Sequence, residues 1–145
     1  MDKNKLLLYV VGAIVVLLIV DQILKALNLK KDKTDKKEEE AQSELRTNDF
    51  FNPMFYRGKA FSALGKSVSN QYAKDIKNSL GIFNDNEELI YTTFGKLKCK
   101  YNISEIAESF YELYGKEMLP AILAKLNSKE MTILNTIINK LPEKS

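Results

Sequence analysis

Residues 6–20 read LLLYVVGAIVVLLIV, fifteen consecutive positions without a charge, and after Asp21 and Gln22 two further apolar residues, Ile23 and Leu24, prolong the pattern. A run like this has few folding options. As a helix, residues 6–24 rise about 28 Å at ~1.5 Å per residue, close to the ~30 Å hydrocarbon thickness of a bilayer. The run has no polar face, which a core helix of a small soluble domain needs, and the following LLIVDQILKAL lacks the small-residue cleavage pattern of a secretory signal. Residues 1–28 are therefore expected to form a retained single-pass anchor. It places Leu6, Leu7, Leu8, Tyr9, Val10, Ile14, Val15, Val16, Leu17, Leu18, Ile19 and Val20 in lipid, with Lys5 and Lys25 snorkelling at its ends. Asp21 lies one turn from Lys25, and an (i, i+4) ion pair accounts for it better than an intramembrane functional carboxylate does.

Lys3 and Lys5 precede the run, whereas Lys25, Lys30, Lys31, Lys33, Lys36 and Lys37 follow it. The positive-inside bias thus favours a cytoplasmic C-terminal part, or one within or under a capsid if the membrane is that of a virion. Residues 29–49, LKKDKTDKKEEEAQSELRTND, mix lysine and acid with almost no apolar content and cannot bury enough surface to fold alone. They read as a charged tether that holds the remainder off the bilayer.

Composition changes abruptly at Phe50. Five aromatics, Phe50, Phe51, Phe55, Tyr56 and Phe61, fall within the segment 50–66, and Asn52-Pro53 marks a turn in it. This aromatic hook is either an exposed interaction patch or a segment that folds back to complete a core. The second reading is favoured, because a domain of under a hundred residues needs the area.

Residues 67–145 show helical periodicity throughout and no alternating strand pattern, so the fold class is all-α. Five helices are expected. The first covers 69–80, with Tyr72, Ala73, Ile76 and Leu80 on one face and Gly81 as its stop. The second starts after Asp85, with Glu88 three residues on, and the third after Asn102, with Glu105 in the same relation. The fourth carries Met118 to Leu126, with Pro120 tolerated in its first turn. The fifth follows Asn127-Ser128, with Glu130 placed for a capping box, and Pro142 ends it.

The order and spacing of these elements resemble a single annexin-type repeat, a five-helix unit. The likeness is closest over residues 103–126, through Glu105-Ile106, Phe110, Leu113-Tyr114-Gly115-Lys116-Glu117 and Leu126. The resemblance implies the fold and, at first sight, calcium-dependent lipid binding through the loop after the first helix. Here that loop, residues 81–86, has one glycine, and Lys125 occupies the position where the pattern places a distant carboxylate; a lysine cannot coordinate calcium. No cofactor and no metal are expected.

Chemistry is further limited by composition. The chain has no histidine, one cysteine and a net charge of +3. Histidine-assisted nucleophiles and histidine metal sites are excluded, Cys99 has no disulfide partner within the chain, and the weak positive charge does not indicate nucleic acid. Glu105, Glu108 and Glu112 lie along one side of the third helix, where a solvated face explains them better than a catalytic pair does. Tyr101, Tyr111 and Tyr114 read as aromatics at the core edge.

The function expected from these features is a non-enzymatic membrane protein that presents a small helical bundle for protein contact or self-association. Its role would be structural or adaptor-like, for example in a virion whose membrane lies beneath a capsid. A calcium-independent lipid-surface module is the main alternative, and an envelope enzyme using Glu105 or Glu112 is a weaker one.

Overall fold

A computed structural model describes residues 43–81 and 86–145, together with positions 18, 20–23, 25 and 40 upstream. Among the described residues the structure is helical, with no strand. A short 3-10 turn, Asp49–Phe51, precedes five helices: α1 (Lys66–Ser79), α2 (Glu87–Gly95), α3 (Tyr101–Tyr114), α4 (Met118–Leu123) and α5 (Ser128–Lys140).

Helix starts follow local chemistry, though not always at the expected residue. At α5 the capping box forms as its sequence predicts. Asn127 Oδ1 accepts from the Glu130 amide at 3.1 Å, and Glu130 Oε2 accepts from the Asn127 amide at 2.7 Å. At α2 the cap is Asn86, whose side chain accepts from the Leu89 amide, and Glu87 and Glu88 add favourable charge to the first turn. The expected cap, Asp85, falls in residues 82–85, outside the described residues.

At α1 the helix begins three residues before Ser69, after Gly65, whose φ of 82° is open to glycine at little cost. Ser69 is a packing residue instead. It is buried, and its hydroxyl accepts from Ser109 Oγ of α3 at 2.8 Å. With Ala73 on α1 and Ala107 on α3 also fully buried, small side chains let these two helices make the most extensive pairing in the domain. Helix α3 ends at Gly115, which adopts the left-handed conformation with φ of 63° and returns its amide to the Tyr111 carbonyl.

The core runs through all five helices. Ile76, Ile90, Phe94, Ile103, Ile106, Phe110, Ile122, Leu134 and Ile138 are fully buried within it, and Cys99 is a buried free thiol. Pro120 is the third residue of α4, a position that does not need its missing amide. Burial on α5 exceeds the expected stripe and takes in Ile133 and Asn135. The cause lies upstream: the helical turn at 43–46 packs on α5, with Leu45 fully buried and Glu44 accepting from Asn135 at 2.5 Å and from Asn139 at 3.2 Å.

Two positions of the expected anchor also join this core. Val20 is 4% exposed and Ile23 5% exposed, in one apolar cluster with Leu45, while Leu18 is 56% exposed. Asp21 and Lys25 form the expected (i, i+4) pair at 2.6 Å on the outward side. The other anchor residues and residues 29–39 of the tether lie outside the described residues. Within the expected tether 29–49, Leu45 is buried in this cluster, so the described turn at 43–46 packs with the domain.

Two outcomes check this packing. Truncating Phe110 to Ala should cost about 3–5 kcal/mol in urea denaturation, whereas Tyr111→Ala, at a 53% exposed neighbour, should stay within about 0.5 kcal/mol. Introducing a charge with Ile23→Asp in the full chain should lower the melting temperature of the C-terminal helices markedly, while Leu18→Asp leaves it unchanged. Equal melting of both variants would place residues 20–23 outside the core.

Candidate functional site

The aromatic hook decides what surfaces the domain offers, and its position is set by one side of α3. The hook has no regular secondary structure beyond its first turn, so its backbone polar groups need outside partners. Asn48 caps the 3-10 turn by accepting from the Phe50 amide at 3.0 Å. Asn52 then makes the expected turn with Pro53, its side chain accepting from the Met54 amide at 3.0 Å. From there local turns, in which the Phe55, Arg57 and Lys59 amides donate to the Asn52, Met54 and Tyr56 carbonyls, alternate with contacts to α3.

Ser104 Oγ donates to the Asn52 carbonyl and accepts from the Tyr56 amide. Glu108 accepts from the Tyr56 hydroxyl and, at 2.5 Å, from Arg57 Nη2. Both oxygens of Glu105 receive the Leu64 amide, at 3.0 and 3.2 Å. Glu112 pairs with Lys66 at the mouth of α1.

Asn102, expected to cap α3, is instead a fully buried junction. Its Oδ1 accepts from the amides of Lys98 and Cys99, and its Nδ2 donates to the Ser62 carbonyl and to Glu105 Oε2, both at 2.9 Å. The helix starts two residues earlier, after Lys100, which makes no side-chain cap.

These contacts revise the solvated face expected for the three glutamates. Glu105 is 8% exposed, the Glu108 side chain is 15% exposed, and only Glu112 is open to water. Burial by itself raises the Glu108 pKa, but donation from Tyr56 and Arg57, with the charges of Arg57 and Lys66 nearby, outweighs it and holds the carboxyl below its ordinary value of 4.5. The same hydrogen bond to Glu108, helped by burial, pushes the Tyr56 phenol up to about 12. Burial and the Glu143 carboxylate likewise push the Tyr101 phenol up. Neither tyrosine is poised to lose its proton as a nucleophile would.

The five hook aromatics are now placed. Phe51 is buried and tilts against Phe94 with ring centroids 6.0 Å apart. Phe50, Phe55, Tyr56 and Phe61 are half-buried. Phe50, Phe55 and Phe61 surround Tyr101 of α3 at 5.4–5.9 Å between centroids, a separation typical of favourable aromatic pairs.

On the other side of Phe51 the hook leaves an open groove of about 790 Å³ against α4. Leu119, Pro120, Leu123 and Ala124 form one wall and Phe51 and Pro53 the other, with Arg46, Asn48, Asp49, Asn52 and Glu117 along the lips. Sequence reasoning missed this groove. Its lining comes from residues about seventy positions apart, and the aromatic clustering of the hook does not by itself tell which element it faces.

Among the described residues no group of three or more His, Cys, Asp or Glu could hold a metal ion, and the loop at 82–85 lies outside them. No helix among the described residues is long and apolar enough to cross a membrane. Comparison with protein families, with curated proteins and with solved structures finds no match to the chain.

Because the Glu108 pKa is lowered by folding, its stabilising contribution is present above the ordinary carboxylate value and is lost as pH falls through the lower folded value. Acidification from pH 5 to pH 3 should therefore loosen the hook, read as lower amide protection factors at Tyr56 and Leu64 once the slower intrinsic exchange in acid is divided out. Glu108→Gln should cost about 1–3 kcal/mol in urea denaturation at pH 7 and flatten stability over the same acid range.

Proposed function

We propose that the chain is a non-enzymatic single-pass membrane protein that presents a small helical domain for contact with a protein partner or with further copies of itself. Its role is structural or adaptor-like. The groove between the hook and α4 carries this reading: a lining that mixes Phe51, Leu119 and Leu123 with the charges of Arg46, Asp49 and Glu117 suits a short amphipathic segment of another protein. The engagement of the acidic side chains supports it from a second direction. Of the two carboxylates expected of an envelope enzyme, Glu105 is committed to holding the hook and Glu112 is an exposed side chain paired with Lys66.

Residues 6–19 supply the membrane attachment in this proposal. The five-helix order supports an annexin-repeat-like reading of the domain, and Lys125, an exposed residue at the place of the expected calcium carboxylate, weighs against calcium-dependent action. A virion with a membrane beneath its protein shell is one setting that suits a short anchored adaptor, with the domain on the cytoplasmic or capsid side.

The test is a photo-crosslinking residue at Leu123, inside the groove, in the full chain within its native membrane, with Glu117 as a second site on the lip. A discrete adduct with one protein, or at twice the mass of the chain, is the expected result. Adducts confined to the chain itself or to lipid at both sites would overturn the proposal.

A further inference from the structure

The hook has a second, outward side that the groove does not use. Met54 is 57% exposed at its tip. Behind it, Lys59 Nζ stands 5.8 Å from the centre of the Phe55 ring and Lys100 Nζ stands 5.7 Å from the centre of the Phe50 ring. The two rings are themselves 5.2 Å apart. Lys98 reaches Ser62 Oγ at 3.4 Å, next to Phe61, so a third ammonium borders the same aromatic cluster. The Glu143 carboxylate accepts from Tyr101 at 3.1 Å and offsets one of these charges. The face is thus net positive, with half-buried rings and an exposed apolar tip between the ammonium groups.

That combination has a specific physical match. Lysines satisfy the negative charge of a bilayer surface, while aromatic rings and a methionine favour the boundary between headgroups and acyl chains. A protein interface would instead deplete lysine at its centre. The burial of Val20 and Ile23 within the domain core adds a geometric reason, since it brings the domain to the point where the proposed anchor enters lipid.

We propose that the face formed by Met54, Phe55, Lys59, Lys98 and Lys100 docks the domain onto anionic lipid headgroups, without calcium. It uses no residue of the loop after α1. The inference rests on the proposed anchor for its setting, but not for its chemistry.

The chain has no tryptophan, so Met54→Trp gives a single fluorescent reporter at an exposed site. The full chain carrying it is placed in nanodiscs of brominated phosphatidylserine or brominated phosphatidylcholine. The expected result is a blue-shifted, quenched emission in the anionic discs and little quenching in the zwitterionic ones. At ~0.5 M salt, where charges are screened beyond about 4 Å, the quench should be largely lost. Lys59→Glu, Lys98→Glu and Lys100→Glu combined should abolish it, and the corresponding glutamine variants should weaken it, with thermal melting confirming that each remains folded.

Equal quenching in both lipids, or none in the anionic discs, would overturn the proposal. So would a larger emission shift on adding a single-stranded oligonucleotide than on exposure to phosphatidylserine. Retention of the chain in the disc fraction reads the anchor separately. If the chain is not retained, the anchor proposal fails, and the same quench measured against added phosphatidylserine vesicles still decides whether the face binds.

Discussion

One side of α3 carries the organisation of the domain. An irregular segment such as 50–65 has no ladder to satisfy its amides and carbonyls, and it would remain solvated unless another element supplied partners at matching intervals. Asn102, Ser104, Glu105 and Glu108 do so within two turns. Asn102 has both amide hydrogens donated and its oxygen accepting twice, which is the full capacity of the side chain. A buried polar network is favourable only when satisfied in this way. Once it is, the register of the hook is fixed. Phe51 must fall on Phe94, the Phe50, Phe55 and Phe61 rings must gather at Tyr101, and the groove beside α4 acquires its second wall.

The opposite side of α3 explains why the helix can serve two neighbours. Toward α1 it presents Ser109, small enough that the two helices approach closely and share a serine–serine hydrogen bond. Deeper in the core, Ile103, Ile106 and Phe110 supply the apolar area. The helix is therefore polar toward the hook, small toward α1 and apolar toward the centre. Of its fourteen residues, nine are buried, a share that a simple amphipathic surface helix does not reach.

Much of the helical architecture was legible in sequence because its signals are local. The Asn127–Glu130 box, Gly115 as a terminator and Pro120 in a first turn each depend on residues within four positions. Ser69, Asn102 and Glu105 were noticed for the right reason, polar side chains at helix-start spacing, and misread because a long-range partner outcompeted the local role. Ser109 took Ser69, and the Ser62 carbonyl and Leu64 amide took Asn102 and Glu105. The grouping of Glu105, Glu108 and Glu112 on one side was also visible, but not what covered it, since the covering segment lies about fifty residues away. The groove and the burial of Leu45, Val20 and Ile23 had no local signature at all. They arise where separate segments meet, and periodicity within one segment carries no information about that.

The placement of Val20 and Ile23 changes what an anchor in this chain must accomplish. Residues committed to a protein core are withdrawn from lipid, so on the proposed function the run left for the bilayer would be 6–19, about 21 Å if helical. That is shorter than the ~30 Å of an average hydrocarbon core. A short span is accommodated by local thinning and by lysines reaching to the headgroups, each at a modest free-energy cost per ångström of mismatch. A long spacer would leave the orientation of the domain free, whereas on the proposed function an anchor that continues into buried Val20 and Ile23 would restrict the angle at which the domain meets the membrane. The lysine-bordered aromatic face and the groove beside α4 flank Phe51 on opposite sides of the hook. A fixed angle would let the first rest on lipid while the second remains open to a partner.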